Sequence, residues 1–179
     1  MNWQIDPSHS TVEASAKHMM VTTVRGRSSH ITAEIDYDPE APAKASAVVR
    51  IPTATIATGD EKRDAHLRSA DFFDSERYPE AVFRLTGLRP KGGRYRADGE
   101  LTIRGVTRPV TAEADVSAVF DDAWGGKRFA VSARAKIDRR EWGLAWNMPV
   151  ANGVLVSNEV VLDVELQAVA AAVPQTAAA

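Results

Sequence analysis

The sequence predicts an all-β fold, an eight-stranded antiparallel β-barrel with a short helix inserted between strands. Apolar and polar residues alternate with a period of two through eight separate runs. Each run therefore has one apolar and one wet face, the pattern of antiparallel strands laid on a core. Turn-forming clusters separate the runs: "DPEAP" (Asp38 to Pro42), "PKGG" (Pro90 to Gly93), "RGVTRP" (Arg104 to Pro109) and "WGGK" (Trp124 to Lys127). Connections this short favour an up-and-down strand order, and closure into a barrel would remove the exposed edges.

Taken in chain order, the apolar positions of the first run are Val12, Ala14, Ala16 and His18, set against Thr11, Glu13, Ser15 and Lys17. The second run gives Ile31, Ala33, Ile35 and Tyr37, and the third Ala45, Ala47, Val49 and Ile51. Ala81, Phe83 and Leu85 follow, then Tyr95, Ala97, Gly99, Leu101 and Ile103 against a wholly polar opposite face. "PVTAEADVSAVF" puts Val110, Ala112, Ala114, Val116, Ala118 and Phe120 on one side. Phe129, Val131, Ala133, Ala135 and Ile137 form the seventh run, and Val160, Leu162, Val164, Leu166 and Ala168 the last.

Many of these inward positions are alanine. An eight-stranded barrel is just wide enough either to be filled by large side chains or to hold one small ligand. Small lining residues on several strands favour a lumen open to an apolar guest. Against this stands a chain that is alanine-biased throughout, with aromatic residues from elsewhere filling the space. Composition leaves both readings open.

Two segments interrupt the alternation. In "TGDEKRDAHLRSADFFDSERYP" (Thr58 to Pro79), Thr58 and Glu61 have the spacing of a capping box, with Thr58 as N-cap. A helix of about two turns would carry Arg63, Asp64, His66 and Leu67, and Ser69 would cap a second turn bearing Phe72 and Phe73. Leu67, Phe72 and Phe73 need an apolar support, so the segment is expected to plug one barrel end with its charges toward water. "RREWGLAWNMPVANGVLVSN" (Arg139 to Asn158) is too irregular for a strand pair and concentrates Trp142, Trp146, Met148 and Val150. These residues suit either an apolar rim at the barrel mouth or a satellite cluster beneath a long loop.

The 179 residues fit one domain, expected over residues 1–169, with the Ala-rich stretch 170–179 read as a disordered tail. The formal charge of −2 is dispersed, which gives no electrostatic footprint for nucleic acid. The absence of cysteine excludes a disulfide scaffold, a thiol nucleophile and a thiolate metal site. "MNWQIDPSHS" lacks the basic and apolar regions of a secretory leader, and no apolar run approaches the roughly 18 residues of a spanning helix. A cytoplasmic protein with no stable membrane insertion is the resulting expectation.

Catalytic signals are sparse. The four histidines are scattered, without helical metal-ligand spacing, and no nucleophile elbow, phosphate loop or dinucleotide fingerprint is present. Arg63, Asp64 and His66 could form an acid–base trio, but Arg63 and Asp64 are adjacent on a helix and diverge. Asp138 and Arg139 read as a structural ion pair.

The blocks "WQIDPSHSTVEASAKHM", "IATGDEKRDAHLRSADFFDSERYPEAVF", "GELTIRGVTRPV", "IDRREWGL" and "GVLVSNEVVLDVELQ" resemble, in order, those of the YceI-like, polyisoprenoid-binding bacterial proteins. The resemblance implies a lipocalin-like barrel, a non-enzymatic role, frequent dimerisation and a long isoprenoid or fatty-acyl chain in the lumen. No cofactor is then required, and the expected partner is a small hydrophobic lipid, an isoprenoid or quinone, with a homodimer as a second association. The expected ligand contacts are Ala14, Ala16, His18, Ile31, Ala33, Ala47, Val49, Leu67, Phe72, Phe83, Leu101, Ala114, Val116, Phe129, Ala133, Trp142, Trp146 and Leu162. The alternatives are an enzyme acting on a lipidic substrate, with His66 or His18 as base, and a stress-related barrel that binds a protein partner. The outward strand faces, dense in Arg, Glu and Asp, offer no hydrophobic patch for a dimer.

Overall fold

The computed structural model describes residues 2–170. Its strands are β1 (Asn2–Ile5), β2 (Thr11–His18), β3 (Thr22–Ser28), β4 (Thr32–Asp36), β5 (Ser46–Pro52), β6 (Glu80–Lys91), β7 (Arg94–Ile103), β8 (Val106–Val116), β9 (Phe120–Asp121), β10 (Lys127–Asp138), β11 (Pro149–Val150), β12 (Gly153–Val154) and β13 (Glu159–Ala170). One α-helix, α1 (Glu61–Arg68), lies between β5 and β6.

These strands make a closed barrel of eight staves. β1 and β2 pair with successive stretches of β13, Trp3 opposite Ala170 and Thr11 opposite Glu165, so together they form one interrupted stave. β4 pairs with β1 and β3 with β2, which makes a second interrupted stave beside the first. β5, β6, β7, β8 and β10 continue antiparallel, and β10 closes the ring on β13 from Arg128–Val169 to Asp138–Glu159. Pro7 explains the first interruption, because it lacks the N–H that a ladder requires. The Asp6 carboxylate caps the resulting 3-10 turn through the Ser8 N–H at 3.0 Å.

Each of the eight alternating runs occupies its own stave. β3 was invisible in the pattern: Val24, Gly26 and Ser28 alternate, but Gly and Ser carry no hydrophobic signal. The alternation ends earlier than expected after β8. Ala118 and Phe120 do not point inward; both are exposed, and Val119 packs on the core instead, because the strand breaks at Ser117 and the register slips by one. Ala170 belongs to β13 rather than to a tail; the remainder of the stretch read as disordered, 171–179, lies outside the described residues.

Two aromatic groups close the ends of the barrel. At the end where β13 finishes, Trp3 meets Phe129 edge to face at 4.7 Å, and Tyr37 lies 4.8 Å from the same ring. The Trp3 indole N–H donates to the Tyr37 carbonyl at 2.9 Å, which satisfies its polar atom within this floor. At the other end Phe72, Leu101, Ile103, Ile137, Trp142 and Leu144 form a second buried cluster, on which Leu67 and Phe73 rest. The 53–79 insertion is tied at its base. The fully buried Thr53 hydroxyl sits 3.0 Å from both the Ser75 hydroxyl and the Tyr78 carbonyl, while its N–H donates to the Pro79 carbonyl at 2.8 Å.

Helix α1 starts later than the capping box indicated. Asp60 is the N-cap, accepting from the Arg63 N–H at 2.9 Å, and Thr58 has another task. The Thr58 N–H donates to Asp64 Oδ1 at 2.9 Å, and Arg63 Nε donates to the Thr58 hydroxyl at 2.7 Å. Adjacent side chains that diverge on the helix thus converge on one residue, because the incoming chain folds back between them. The Ser69 hydroxyl donates to the His66 carbonyl at 2.7 Å and so finishes the helix while opening the next turn.

Candidate functional site

Among the described residues, two neighbouring cavities lie in the lumen and share part of their wall. The one above the Trp3–Tyr37–Phe129 floor has a volume of about 190 Å³ and is lined by aliphatic and aromatic side chains from β4 to β8, β10 and β13. The second, about 520 Å³, lies beneath α1 and falls within the range of about 300–1,000 Å³ typical of small-molecule sites. Val12, Ile51, Leu101 and Leu162 line both, so they form a waist between the two chambers. The alanines open this space: Ala45, Ala47, Ala97, Ala112, Ala114, Ala133 and Ala135 line the inner chamber, and Ala14, Ala16 and Ala81 the outer one. The two readings of the alanine-rich face are both partly realised, with aromatics filling the floor and small residues leaving the length above it open.

Of the residues expected at the site, Ala47, Val49, Phe83, Ala114, Val116, Phe129 and Ala133 line the inner chamber. Ala14, Ala16, His18, Leu67, Phe72 and Trp146 line the outer one, and Leu101 and Leu162 line both. Three do not reach either. Ile31 is buried at the break between β3 and β4. Ala33 pairs with Val49 but is not part of the lining of either cavity. Trp142 is 1% exposed behind the wall, its indole N–H donating to the Leu101 carbonyl at 2.9 Å, so it is packing rather than rim.

The segment from Arg139 to Asn158 is also more ordered than its sequence suggested. β11 and β12 pair as a two-residue hairpin, Pro149 opposite Val154. Its organiser is Arg139, a residue missed as a site element and only 4% exposed. Arg139 Nε donates to the Ser157 carbonyl at 2.9 Å, and Nη1 donates to the Leu144 carbonyl and, at 3.0 Å, to the Trp146 carbonyl. Burial pushes the guanidinium pKa down, and the carbonyl dipoles hold the charge in place of a carboxylate. The expected Asp138–Arg139 pair does not form: Asp138 takes Arg140, with Arg140 Nε 2.9 Å from Asp138 Oδ1. That pairing holds the Asp138 carboxyl at about 2.

The outer chamber has a consistent charge. The cations Lys17, Lys62, Arg63 and Arg139 contribute to its lining beside His18 and His66, and among the described residues no Asp or Glu does. Lys17, Lys62 and Arg63 are themselves exposed, so the chamber reaches the surface between β2 and α1. The charged segment therefore covers this end, as the plug reading required, but it turns some of its cations toward the lumen. His66 bridges the two environments. Its Nε2 lies 2.8 Å from Asp71 Oδ2, and its ring meets Phe72 at 5.0 Å and Trp146 at 4.6 Å, both edge to face.

Gly26 and Gly99 mark close approaches that the pattern did not reveal. A Cβ on Gly26 would stand 3.0 Å from the Ile56 side chain, where residues 56–58 run along β3 through the Arg27–Ala57 bridge. A Cβ on Gly99 would stand 2.4 Å from the Phe83 ring, so the missing side chain is what makes room for Phe83, which lines the inner chamber.

Residues 3–168 match the YceI-like domain, so the chain belongs to the YceI-like family. It is 33% identical over 144 residues to the protein YceI of Escherichia coli O157:H7, an alignment covering 80% of this chain and 75% of that one. Among solved structures, Burkholderia cenocepacia BcnA superposes with a TM-score of 0.78 at 26% identity, covering 91% of this chain and 98% of BcnA. A polyisoprenoid binding domain from Saccharophagus degradans shares the fold with a TM-score of 0.69 at 15% identity, covering 93% and 97% of the two chains.

Proposed function

We propose that this protein binds one long apolar lipid chain, a polyisoprenoid, an isoprenoid quinone or a fatty-acyl chain, inside the barrel as its carrier or store. The observation that carries the reading is a pair of apolar-lined lumen cavities that share the wall residues Val12, Ile51, Leu101 and Leu162. A floor at one end and an opening at the other suit a linear guest, tail inward. β13, with 12 residues, runs about 40 Å along its own direction and less along a tilted barrel axis, a depth matched to a chain and not to a globular metabolite. Each methylene buried against such a wall contributes about 0.8 kcal/mol before the costs of ordering, so tail burial alone can drive association. The YceI-like family membership supports the same reading, as does the Saccharophagus neighbour, itself a polyisoprenoid binding domain.

The test is native mass spectrometry of the freshly purified protein, with solvent extraction of any adduct, followed by uptake of added polyprenols and quinones. Ala133→Trp narrows the inner chamber and Ala16→Trp the outer. Both variants are expected to stay folded and to lose uptake. Unchanged uptake by both folded variants would overturn a lumen site. The His66–Asp71 pair beside the outer chamber gives a second reading, acid–base catalysis on a lipidic substrate. Turnover across a panel of lipid esters that is lost in His66→Ala would establish it, and no turnover would remove it.

A further inference from the structure

We propose that the β2–β3 loop and the β11–β12 hairpin form a membrane-docking tip that sets the mouth of the outer chamber on an anionic bilayer. His18 and Thr22 are the last pair of the β2–β3 hairpin, leaving Met19, Met20 and Val21 as its loop, with the Val21 N–H donating to the His18 carbonyl at 3.0 Å. Met19 and Met20 both adopt the left-handed backbone region, with φ of 50° and 60°. Consecutive positions of this kind favour Asn and Gly, and a bulky side chain there is strained. The loop nevertheless holds two methionines, and it exposes them: Met19 is 40%, Met20 53% and Val21 68% accessible. Backbone strain kept in order to present apolar side chains to solvent points to a role for those side chains.

The second loop is fastened beside the first. The Met19 N–H donates to the Leu155 carbonyl at 2.8 Å, and the Leu155 N–H donates to the Met148 carbonyl at 2.9 Å. Met148, 52% exposed, thereby joins the same apolar tip. His18 and Leu155, which anchor the tip, also line the outer chamber, so the patch is continuous with the mouth. The sequence offered no such patch because its members lie on two loops more than a hundred residues apart, not on a strand face.

Charge selects the partner. The mouth beside the tip carries exposed Lys17, Lys62 and Arg63; Asp64 is engaged with Thr58 and Asp71 with His66, and Glu61 on α1 is not part of the lining. A soft, adaptable Met-rich tip flanked by cations is the arrangement that seats shallowly in a headgroup layer bearing negative charge. A lipid leaving the bilayer there would enter the lumen without crossing water. Docking is separable from the proposed lumen function, which it serves but does not require.

The experiment is flotation of the protein with vesicles of phosphatidylcholine alone and of phosphatidylcholine mixed with phosphatidylglycerol. We expect binding to the anionic vesicles, weakened by salt. The double variant Met19→Asn/Met20→Gly removes the apolar tip and suits the left-handed backbone, so it should melt no lower than the parent. Its vesicle binding should fall about tenfold. Neither residue lines a chamber, so uptake of a polyprenol from detergent micelles should be unchanged in the variant, which separates failure of docking from failure of lumen binding. The proposal is overturned if the parent binds neither vesicle, if it binds both equally, or if the variant binds as well as the parent. It is equally overturned if the parent is a dimer that the variant dissociates without any flotation, because the tip would then face a second copy.

Discussion

The imidazole of His66 and the indole of Trp146 meet edge to face, 4.6 Å apart with ring planes at 86°. One ring comes from α1 and the other from the loop before β11, so this contact joins the two interruptions of the barrel above the outer chamber. An aromatic pair of this geometry contributes about 0.5–1.5 kcal/mol beyond its buried area. His66→Ala should therefore speed release of a bound lipid by about two- to twelvefold and lower the melting temperature by about 1–6 °C. His66→Phe, which keeps the edge contact, should restore slow release. Stopped-flow displacement of a fluorescent lipid measures both.

Arg139 is expected to matter more for stability than any other charged residue among those described. Arg139→Met would leave the Ser157, Leu144 and Trp146 carbonyls without their donor in a buried place. Each buried group left unsatisfied costs about 1–3 kcal/mol, so a loss of about 3 kcal/mol or more is predicted from urea unfolding. Arg139→Lys, with one compact ammonium, cannot span all three carbonyls and should recover only part of it.

Gly99→Ala tests the link between wall and lumen. The added methyl would overlap Phe83 and, at 2.7 Å, the Arg84 carbonyl. Overpacking of this kind costs about 1–3 kcal/mol. The ring that yields lines the inner chamber, so the variant should also accept shorter chains than the parent, read by mass analysis of competing polyprenols.

Acid should unfold the protein through its paired carboxylates. Arg140 holds Asp138 at about 2 against an ordinary 3.8, and Arg128 holds Asp6 and Asp122 below their usual range. Hydrogen bonds from Thr111, Arg89 and Arg96 do the same for Asp98. Each folded-state value lies below its unfolded one, so this stabilisation is complete above the unfolded value and is lost as pH falls toward the folded one. The melting temperature should be flat from neutral pH to about 5 and drop between about 4 and 2. Asp138→Asn should lower the plateau and shallow the drop in a series of thermal melts.

The sequence alone determined the eight staves, the faces of the residues in the eight alternating runs up to Val116 and from Phe129 onward, and the amphipathic character of the segment from Thr58 to Pro79. A period-two pattern is a local property, and the burial of one sheet face writes it directly into the order of residues. Ala14, Ala47, Ala114 and Ala133 left an open and a filled lumen equally readable, and the structure realises part of each. Tertiary structure alone decided what depends on residues far apart in the chain. Trp3 and Tyr37 close the floor on Phe129 because β13 pairs with β1, from the other end of the chain, on one side and with β10 on the other. Arg139 reads as an ion-pair partner until the loops that follow it wrap their carbonyls around its guanidinium. Met19 and Met148 become one apolar tip only through the hydrogen bonds of Leu155. Alternation fixes which way a side chain points, whereas the group it meets is set by the closure of the barrel.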